Sequence, residues 1–229
     1  MIRAVLFDFD GTLYDRDLAL RRMAEEQFAT FKSELGVNGP AFVSRLLALD
    51  DHGHGRPKHM HHKLAEELGF SPDLADRLEA CFRSNYPAHC HPPDDCLSTL
   101  GKLREEGIKL GIITNGPVTW QMRKIEKTGV SPFFDTIVVS EAEGIQKPDP
   151  RIFARALERC GVEAGESIFV GDHPEADILG ARNAGLLPVW KRKPYWEVPN
   201  DILRINQLSE VLSLVGLKSG LSGSEKKKV

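Results

Sequence analysis

The stretch Ala4-Val-Leu-Phe-Asp8-Phe-Asp10-Gly-Thr-Leu13 decides the fold. It begins with an apolar run of strand length, and two carboxylates, two residues apart, follow directly after that run. Residues two apart on a strand point to the same side, so we expect Asp8 and Asp10 on one face where the strand ends. Two like charges about 4 Å apart at an effective dielectric of about 20 repel by about 4 kcal/mol. The stretch therefore indicates either a strand that runs into an Asp-Gly turn or a site that holds a cation or a proton.

The rest of the chain from about residue 93 to 215 alternates short apolar runs with helical patterns. Strands bounded by helices of this length predict βαβ units. Asp149 is a typical N-cap and Pro150 a typical first helical residue for one of these helices. We predict an α/β fold with a doubly wound, mainly parallel, Rossmann-like sheet. The further strands are expected at residues 108–113, 136–139, 167–170 and 187–190, and the helices at residues 119–128, 151–160 and 176–184.

Residues 15–90 differ from this pattern, because they carry apolar residues at helical spacing and no convincing strand. Breaks near residues 36–40, 50–57 and 69–72 predict about four helices. The expected organisation is an α/β core domain of residues 1–14 and 91–217, a helical cap domain of residues 15–90, and a disordered tail of residues 218–229. Ligands of open α/β sheets bind beyond the carboxyl ends of the strands, so we expect the cap as a lid over that edge.

Composition excludes several classes of partner. A net charge of −3 leaves no basic footprint for a nucleic acid polymer. No apolar run approaches the roughly 18 residues of a membrane span. The four cysteines match neither a CxxC motif nor a disulfide framework, which favours free thiols in the cytoplasm. A monomer and a homodimer both remain open.

Two further motifs follow predicted strands. In Thr114-Asn115-Gly116, a hydroxyl, an amide and backbone N–H groups are suited to hold phosphoryl oxygens, although the same residues also form ordinary turns. In Gly171-Asp172, a carboxylate at a strand end is suited to bind Mg²⁺. Asp177 lies five residues later near a helix start, where an acidic residue is also favourable for the helix alone.

A fourth motif is Gly144-Ile-Gln-Lys147-Pro-Asp-Pro150. Lys147 stands between a glycine and two prolines, so the backbone that carries it is stiff. A lysine mounted in this way offers a fixed point charge for an anion, and the alternative is a surface lysine ahead of a helix.

In this order and spacing, the four motifs resemble those of the haloacid dehalogenase-like (HAD) hydrolase superfamily, and residues 15–90 resemble the helical cap of its subfamily I. The resemblance runs from Ala4 to about Gly185. Ala176 departs from it, since many relatives carry Asn there. The Gly171-Asp-His-Pro segment is similar to that of some nucleotidase-like members.

The resemblance implies a phosphatase mechanism. Asp8 would attack phosphorus and form an aspartyl-phosphate, and Asp10 would act as general acid and then as general base. Mg²⁺ would be held by Asp8, by the main-chain carbonyl of Asp10 and by Asp172.

The other motif residues would handle the phosphoryl group. Its oxygens would be bound by Thr114, Asn115 and Lys147. Its charge would be neutralised by Thr114 and Lys147. Asp177 would orient Lys147 or the water shell of the metal.

The implied substrate is a small phosphorylated metabolite, because a cap cannot close over a large chain. A nucleoside monophosphate and a sugar phosphate are the expected classes. Tyr195 and Trp196 either stack on a base or serve as ordinary packing residues. Cap residues that are candidates for contacting the leaving group are Arg16, Arg21, Arg56 and Lys58.

Three other functions compete with this prediction. A metal-independent 2-haloacid dehalogenase lacks the second acidic residue of the first motif, whereas Asp10 and Asp172 are both present here. A phosphoglucomutase-like phosphotransferase shares every catalytic residue and stays open. A receiver-type signalling domain would have about 120 residues and no helical insertion.

The segment of residues 52–62 holds five of the eight histidines and is called here the histidine-rich segment. Its residues indicate either a metal site or a solvated loop that leads into a helix.

Overall fold

A computed structural model describes residues 1–53 and 59–216 of the chain. The cap candidates Arg56 and Lys58, the histidine His54 and the expected tail of residues 218–229 lie outside the described residues. The described residues form two compact units, and each is taken separately below.

The first unit contains Met1–Thr12, Asp94–Val118 and the described residues from Pro132 onward. Its sheet has six strands in the order β3-β2-β1-β4-β5-β6, and every neighbouring pair is parallel. This is the doubly wound Rossmann-like order, which confirms the predicted fold class. The strands are β1 Ala4–Phe7, β2 Lys109–Thr114, β3 Thr136–Val139, β4 Ser167–Gly171, β5 Leu187–Lys191 and β6 Leu203–Ile205.

Ten α-helices lie within the described residues, five of them between the first and second strands. They are α1 Arg16–Leu35, α2 Gly39–Asp50, α3 Met60–Leu68, α4 Pro72–His89, α5 Cys96–Glu105, α6 Val118–Thr128, α7 Ser140–Glu143, α8 Pro150–Cys160, α9 Gly180–Asn183 and α10 Val211–Leu214. Within the described ranges, none of these helices combines the length and the hydropathy that a bilayer span requires.

Burial explains why the sheet forms the core of the first unit. All four residues of β1 are fully buried, as expected for a central parallel strand covered on both faces. Helix α8 buries one apolar stripe, which includes Ile152 and Phe153, against β2 and β3. The Asp149 side chain accepts a hydrogen bond from the Arg151 N–H at 2.9 Å, which confirms the predicted N-cap.

The helix observed after β4 differs from the one predicted at residues 176–184. It begins earlier, as a π-helical segment Pro174–Leu179 that continues into α9. The His173 side chain caps this segment, because its Nδ1 accepts hydrogen bonds from the N–H groups of Glu175 and Ala176 at 3.0 and 3.1 Å. A wide first turn of this kind leaves no mark in the apolar periodicity, which is why the sequence did not reveal it.

The second unit contains Leu13–Pro93 together with Thr119–Ser131. Helices α1 to α4 confirm the four helices predicted from the breaks. Three of them begin at a residue whose side chain accepts a backbone hydrogen bond of the first turn, namely Asp15, Asn38 and Ser71. Thr119–Ser131 belongs to this unit, whereas the sequence pattern predicts residues 91–217 as one core domain.

The described part of the histidine-rich segment pairs with acidic side chains of the same unit. His61 is fully buried, with Nδ1 at 2.6 Å from Glu79 and Nε2 at 3.2 Å from the Gln27 side chain. His52 and His62 each lie within hydrogen-bond distance of an aspartate. No group of three metal-ligating residues among the described residues includes a histidine. All four cysteines of the chain are free thiols.

Candidate active site

Neighbouring strands bring the motif residues to one edge of the sheet. β1 lies between β2 and β4, with Phe7 in register with Ile112 and Val170. Asp8 follows β1 directly, and its N–H donates to the Val170 carbonyl at 2.8 Å. Asp172 follows β4 in the same way. The order of strands reverses its direction at β1, which is where open α/β sheets bind their ligands.

Lys147 lies between two carboxylates at this edge. Its Nζ donates to Asp8 Oδ1 at 2.6 Å and to Asp177 Oδ1 at 2.7 Å. All three side chains are buried. Burial lowers the pKa of Lys147, but the carboxylates of Asp177 and Asp8 outweigh it, so the net shift is upward. Lys147 is therefore charged, and both acids compensate that charge.

Asp177 accepts hydrogen bonds through both of its carboxylate oxygens. Oδ1 accepts from Lys147, and Oδ2 accepts from the backbone N–H groups of Asp172 at 3.1 Å and His173 at 3.0 Å. An ionised carboxylate only accepts, so all three contacts have the correct polarity. Asp177 therefore holds the lysine and the loop that carries Asp172 in one arrangement.

The acidic residues fit a divalent cation. Asp8, Asp172 and Asp177 each offer an oxygen, and these oxygens lie within 4.8 Å of one another. Asp8 Oδ2 is buried and has no hydrogen-bond partner among the described residues. A buried acceptor without a partner is costly, and a hard cation would satisfy it. The oxygens of Asp177 already accept from Lys147 and the backbone, so Asp8 and Asp172 are the better ligands.

The pKa values lead to the same conclusion. Burial raises the pKa of Asp8 to about 7, with Lys147 opposing the rise and Asp177 and Asp10 adding to it. Burial, followed by the charges of Asp8 and Asp177, also raises the pKa of Asp172 well above its ordinary value. These carboxyl groups resist ionising together, and a bound cation removes that resistance.

The second motif lies beside the lysine. Thr114 is the last residue of β2 and is buried. The Asn115 amide contacts the Lys147 backbone twice, since its Oδ1 accepts from the N–H at 2.9 Å and its Nδ2 donates to the carbonyl at 3.0 Å. Asn115 therefore holds Lys147 in place, an arrangement that the predicted phosphoryl contact did not include.

Two further residues shape the surroundings of Asp172. Gly11 has a φ of 90°, and a Cβ atom at that position would overlap the Asp172 carboxylate. The Trp190 indole Nε1–H donates to the Asp172 carbonyl at 2.8 Å. The Asp-Gly turn in the sequence carries a signal for the glycine. Trp190 carries none, because a tryptophan at the end of a strand is typical of a core.

The remaining candidate residues have other neighbours. Arg16 makes two hydrogen bonds to the Asp50 carboxylate, one of them at 3.0 Å, so its guanidinium group already has a partner. Arg21 is exposed. The Trp196 ring lies 5.1 Å from the ring of His173 and packs against an apolar cluster that includes Trp190.

Comparison with known proteins gives consistent results. Residues 2–185 match the model of the haloacid dehalogenase-like hydrolase family. A glyceraldehyde 3-phosphate phosphatase of Methanopyrus kandleri is 34% identical over 203 residues, which cover 84% of this chain and 85% of that protein. The pyrimidine 5′-nucleotidase YjjG of Escherichia coli is 34% identical over 209 residues, which cover 86% and 89%.

A solved structure is also similar over its whole length. The crystal structure of a HAD phosphatase from Thermococcus onnurineus matches with a TM-score of 0.67 and 28% sequence identity. The match covers 95% of this chain and all of that one.

Proposed function

The chain belongs to the haloacid dehalogenase-like hydrolases, and we propose that it is a Mg²⁺-dependent phosphatase of a small phosphorylated metabolite. The observation that carries the proposal is the buried ion pair between Asp8 and Lys147, in which Asp8 Oδ2 has no hydrogen-bond partner among the described residues. A carboxylate held by a lysine on one oxygen and open on the other is suited to attack phosphorus.

The reaction has two steps in this proposal. Asp8 forms a bond to phosphorus while the ester P–O bond breaks, and Asp10 gives a proton to the departing alkoxide. Asp10 then takes a proton from water, which attacks the aspartyl-phosphate and releases inorganic phosphate and the Asp8 carboxylate. Lys147 and Thr114 hold phosphoryl oxygens throughout, and Asp177 and Asn115 act by positioning the lysine.

Asp8, Asp172 and the main-chain carbonyl of Asp10 would hold Mg²⁺. When bound, the ion neutralises charge on the phosphoryl group. A dehalogenase reaction on carbon would give Asp10 and Asp172 no such task, so phosphate is the favoured substrate group.

We also infer the substrate class from the relatives. A glyceraldehyde 3-phosphate phosphatase and a pyrimidine 5′-nucleotidase are similar over most of the chain, which supports a phosphorylated triose or sugar, or a nucleoside monophosphate, as substrate. The helical unit is proposed to act as the cap domain that selects among them.

The test is hydrolysis of p-nitrophenyl phosphate near neutral pH, first with Mg²⁺ and then with excess chelator. We expect the wild type to turn over only with Mg²⁺, and the Asp8→Asn variant to lose this activity. The control variant Asp201→Asn, which removes an exposed aspartate paired with Arg182, is expected to keep it. More than a few per cent of activity in Asp8→Asn would exclude the covalent route. Glyceraldehyde 3-phosphate and pyrimidine nucleoside monophosphates then test the substrate class. Labelling of Asp8 without net hydrolysis would indicate the phosphotransferase instead.

A further inference from the structure

An open cleft of about 710 Å³ lies at the carboxyl ends of β5 and β6, within the same unit as the candidate active site. Its volume is typical of sites for small metabolites, which span about 300–1,000 Å³. Three basic side chains line it, those of Arg192, Lys193 and Arg204, together with one acidic side chain, that of Glu197. The lining of the cleft therefore carries a net positive charge, although the net charge of the whole chain is −3.

No carboxylate of the described residues forms an ion pair with Arg192, Lys193 or Arg204. The Arg204 guanidinium donates to the backbone carbonyls of Val198 at 3.0 Å and Pro199 at 3.1 Å. The same guanidinium donates to Asn200 Oδ1 at 3.3 Å, so uncharged oxygens hold it in place. Beside the hydrogen bond from Arg182, its charge also lowers the pKa of Asp201, and none of its contacts is an ion pair that an anionic ligand would have to break.

The cleft is joined to the loop that carries Asp172. Trp190 lines the cleft and donates its indole N–H to the Asp172 carbonyl at 2.8 Å. Trp196, on another wall, packs against His173 at 5.1 Å between the ring centres.

We propose that the cleft formed by Arg192, Lys193 and Arg204 binds the phosphate or carboxylate group of a small anionic metabolite. Guanidinium and ammonium groups recognise such anions through charge-assisted hydrogen bonds. The anion has two sources, a second acidic group on the substrate or a separate effector molecule. Only the first source depends on the proposed phosphatase function.

The binding test is calorimetric titration with inorganic pyrophosphate in the presence of chelator at low salt. The wild type is compared with the double variant Arg192→Gln/Lys193→Gln and with a control of equal charge loss, Lys102→Gln/Arg155→Gln, on the same unit. We expect the wild type and the control to bind one more equivalent than the double variant, or to bind at least about tenfold more tightly. Equal stoichiometry and affinity in the double variant and the control would overturn the proposal. Unchanged thermal midpoints show that all the variants are folded.

Kinetics then distinguish the two sources. A KM that rises about tenfold for fructose 1,6-bisphosphate and stays constant for p-nitrophenyl phosphate assigns the cleft to the second acidic group of a substrate. Lost pyrophosphate binding with both KM values unchanged assigns it to an effector. The titration needs no turnover, so failure of the phosphatase proposal and failure of the cleft proposal give different results.

Discussion

Replacement of Asp177 by asparagine tests the buried arrangement around Lys147. The carboxylate accepts from Lys147 and from the N–H groups of Asp172 and His173. An asparagine amide has one accepting oxygen and one donating NH₂ group. In one orientation the NH₂ group faces the lysine, and in the other it faces two backbone N–H groups. Either way, at least one donor meets another donor.

The burial of Lys147 and Asp177 determines how much stability the Asp177→Asn substitution removes. Lys147 is 4% exposed and Asp177 is 1% exposed, so water cannot replace the lost contact. Removing one partner of a buried ion pair lowers the free energy of unfolding by about 3–5 kcal/mol. For 150 to 250 residues, each kcal/mol shifts the thermal midpoint by about 2–4 °C, so Asp177→Asn is expected to melt roughly 6–20 °C lower.

The assay is a thermal scan by circular dichroism near neutral pH with chelator, followed by calorimetry to separate transitions of the two units. Asp201→Asn is the matched control, because it removes one exposed aspartate from an ion pair with Arg182 and is expected to leave the midpoint nearly unchanged. If the midpoint of Asp177→Asn lay within about 2 °C of that control, the buried ion pair of Asp177 with Lys147 would not stabilise the fold as argued.

Three more outcomes are expected. Burial raises the pKa of Asp8 to about 7 and also raises the pKa of Asp172, so protons compete with Mg²⁺ at both carboxyl groups. Calorimetry should therefore show Mg²⁺ binding that weakens by at least about tenfold per pH unit below about 7, and constant affinity from about pH 5 to 7 would contradict this. Gly11→Ala forces a Cβ atom onto Asp172 at a φ of 90°, so its midpoint should fall by about 2–12 °C. Gly165→Ala, where an added Cβ meets nothing within 4 Å, should match the wild type, and equal midpoints of the two variants would exclude the clash. Lys147→Ala should lower kcat/KM by at least about 100-fold, and wild-type kinetics would remove the lysine from phosphate binding.

The sequence predicted those parts of the fold that produce long or strongly patterned signals. The first strand and the four expected after residue 93 are present, because each is an apolar run bounded by turns. β6 was missed, since Leu203–Ile205 is too short to show a period. The membership of Thr119–Ser131 in the helical unit was also missed, because periodicity predicts a helix but not the element against which it packs.

Only part of the candidate site could be predicted from the sequence. Motif residues at the ends of parallel strands are expected at one edge of the sheet, and the structure brings Asp8, Lys147 and Asp177 into contact there. The residues that position them depend on contacts distant in sequence. Asn115 lies 32 residues from Lys147, and Trp190 lies 18 residues from the Asp172 carbonyl that it contacts. Spacing along the chain carries no information about such pairs.

The bonds from Asn115 and Asp177 to the lysine segment have a consequence for local unfolding. They join three loops, those that follow β2, precede α8 and follow β4, into one hydrogen-bonded network. A loop held by bonds to both of its neighbours cannot open without breaking them, so the three should open as a single cooperative unit. Their amide protons should therefore exchange with solvent at a common, slow rate, and the protein should not spend time in states where only one part of the site is formed.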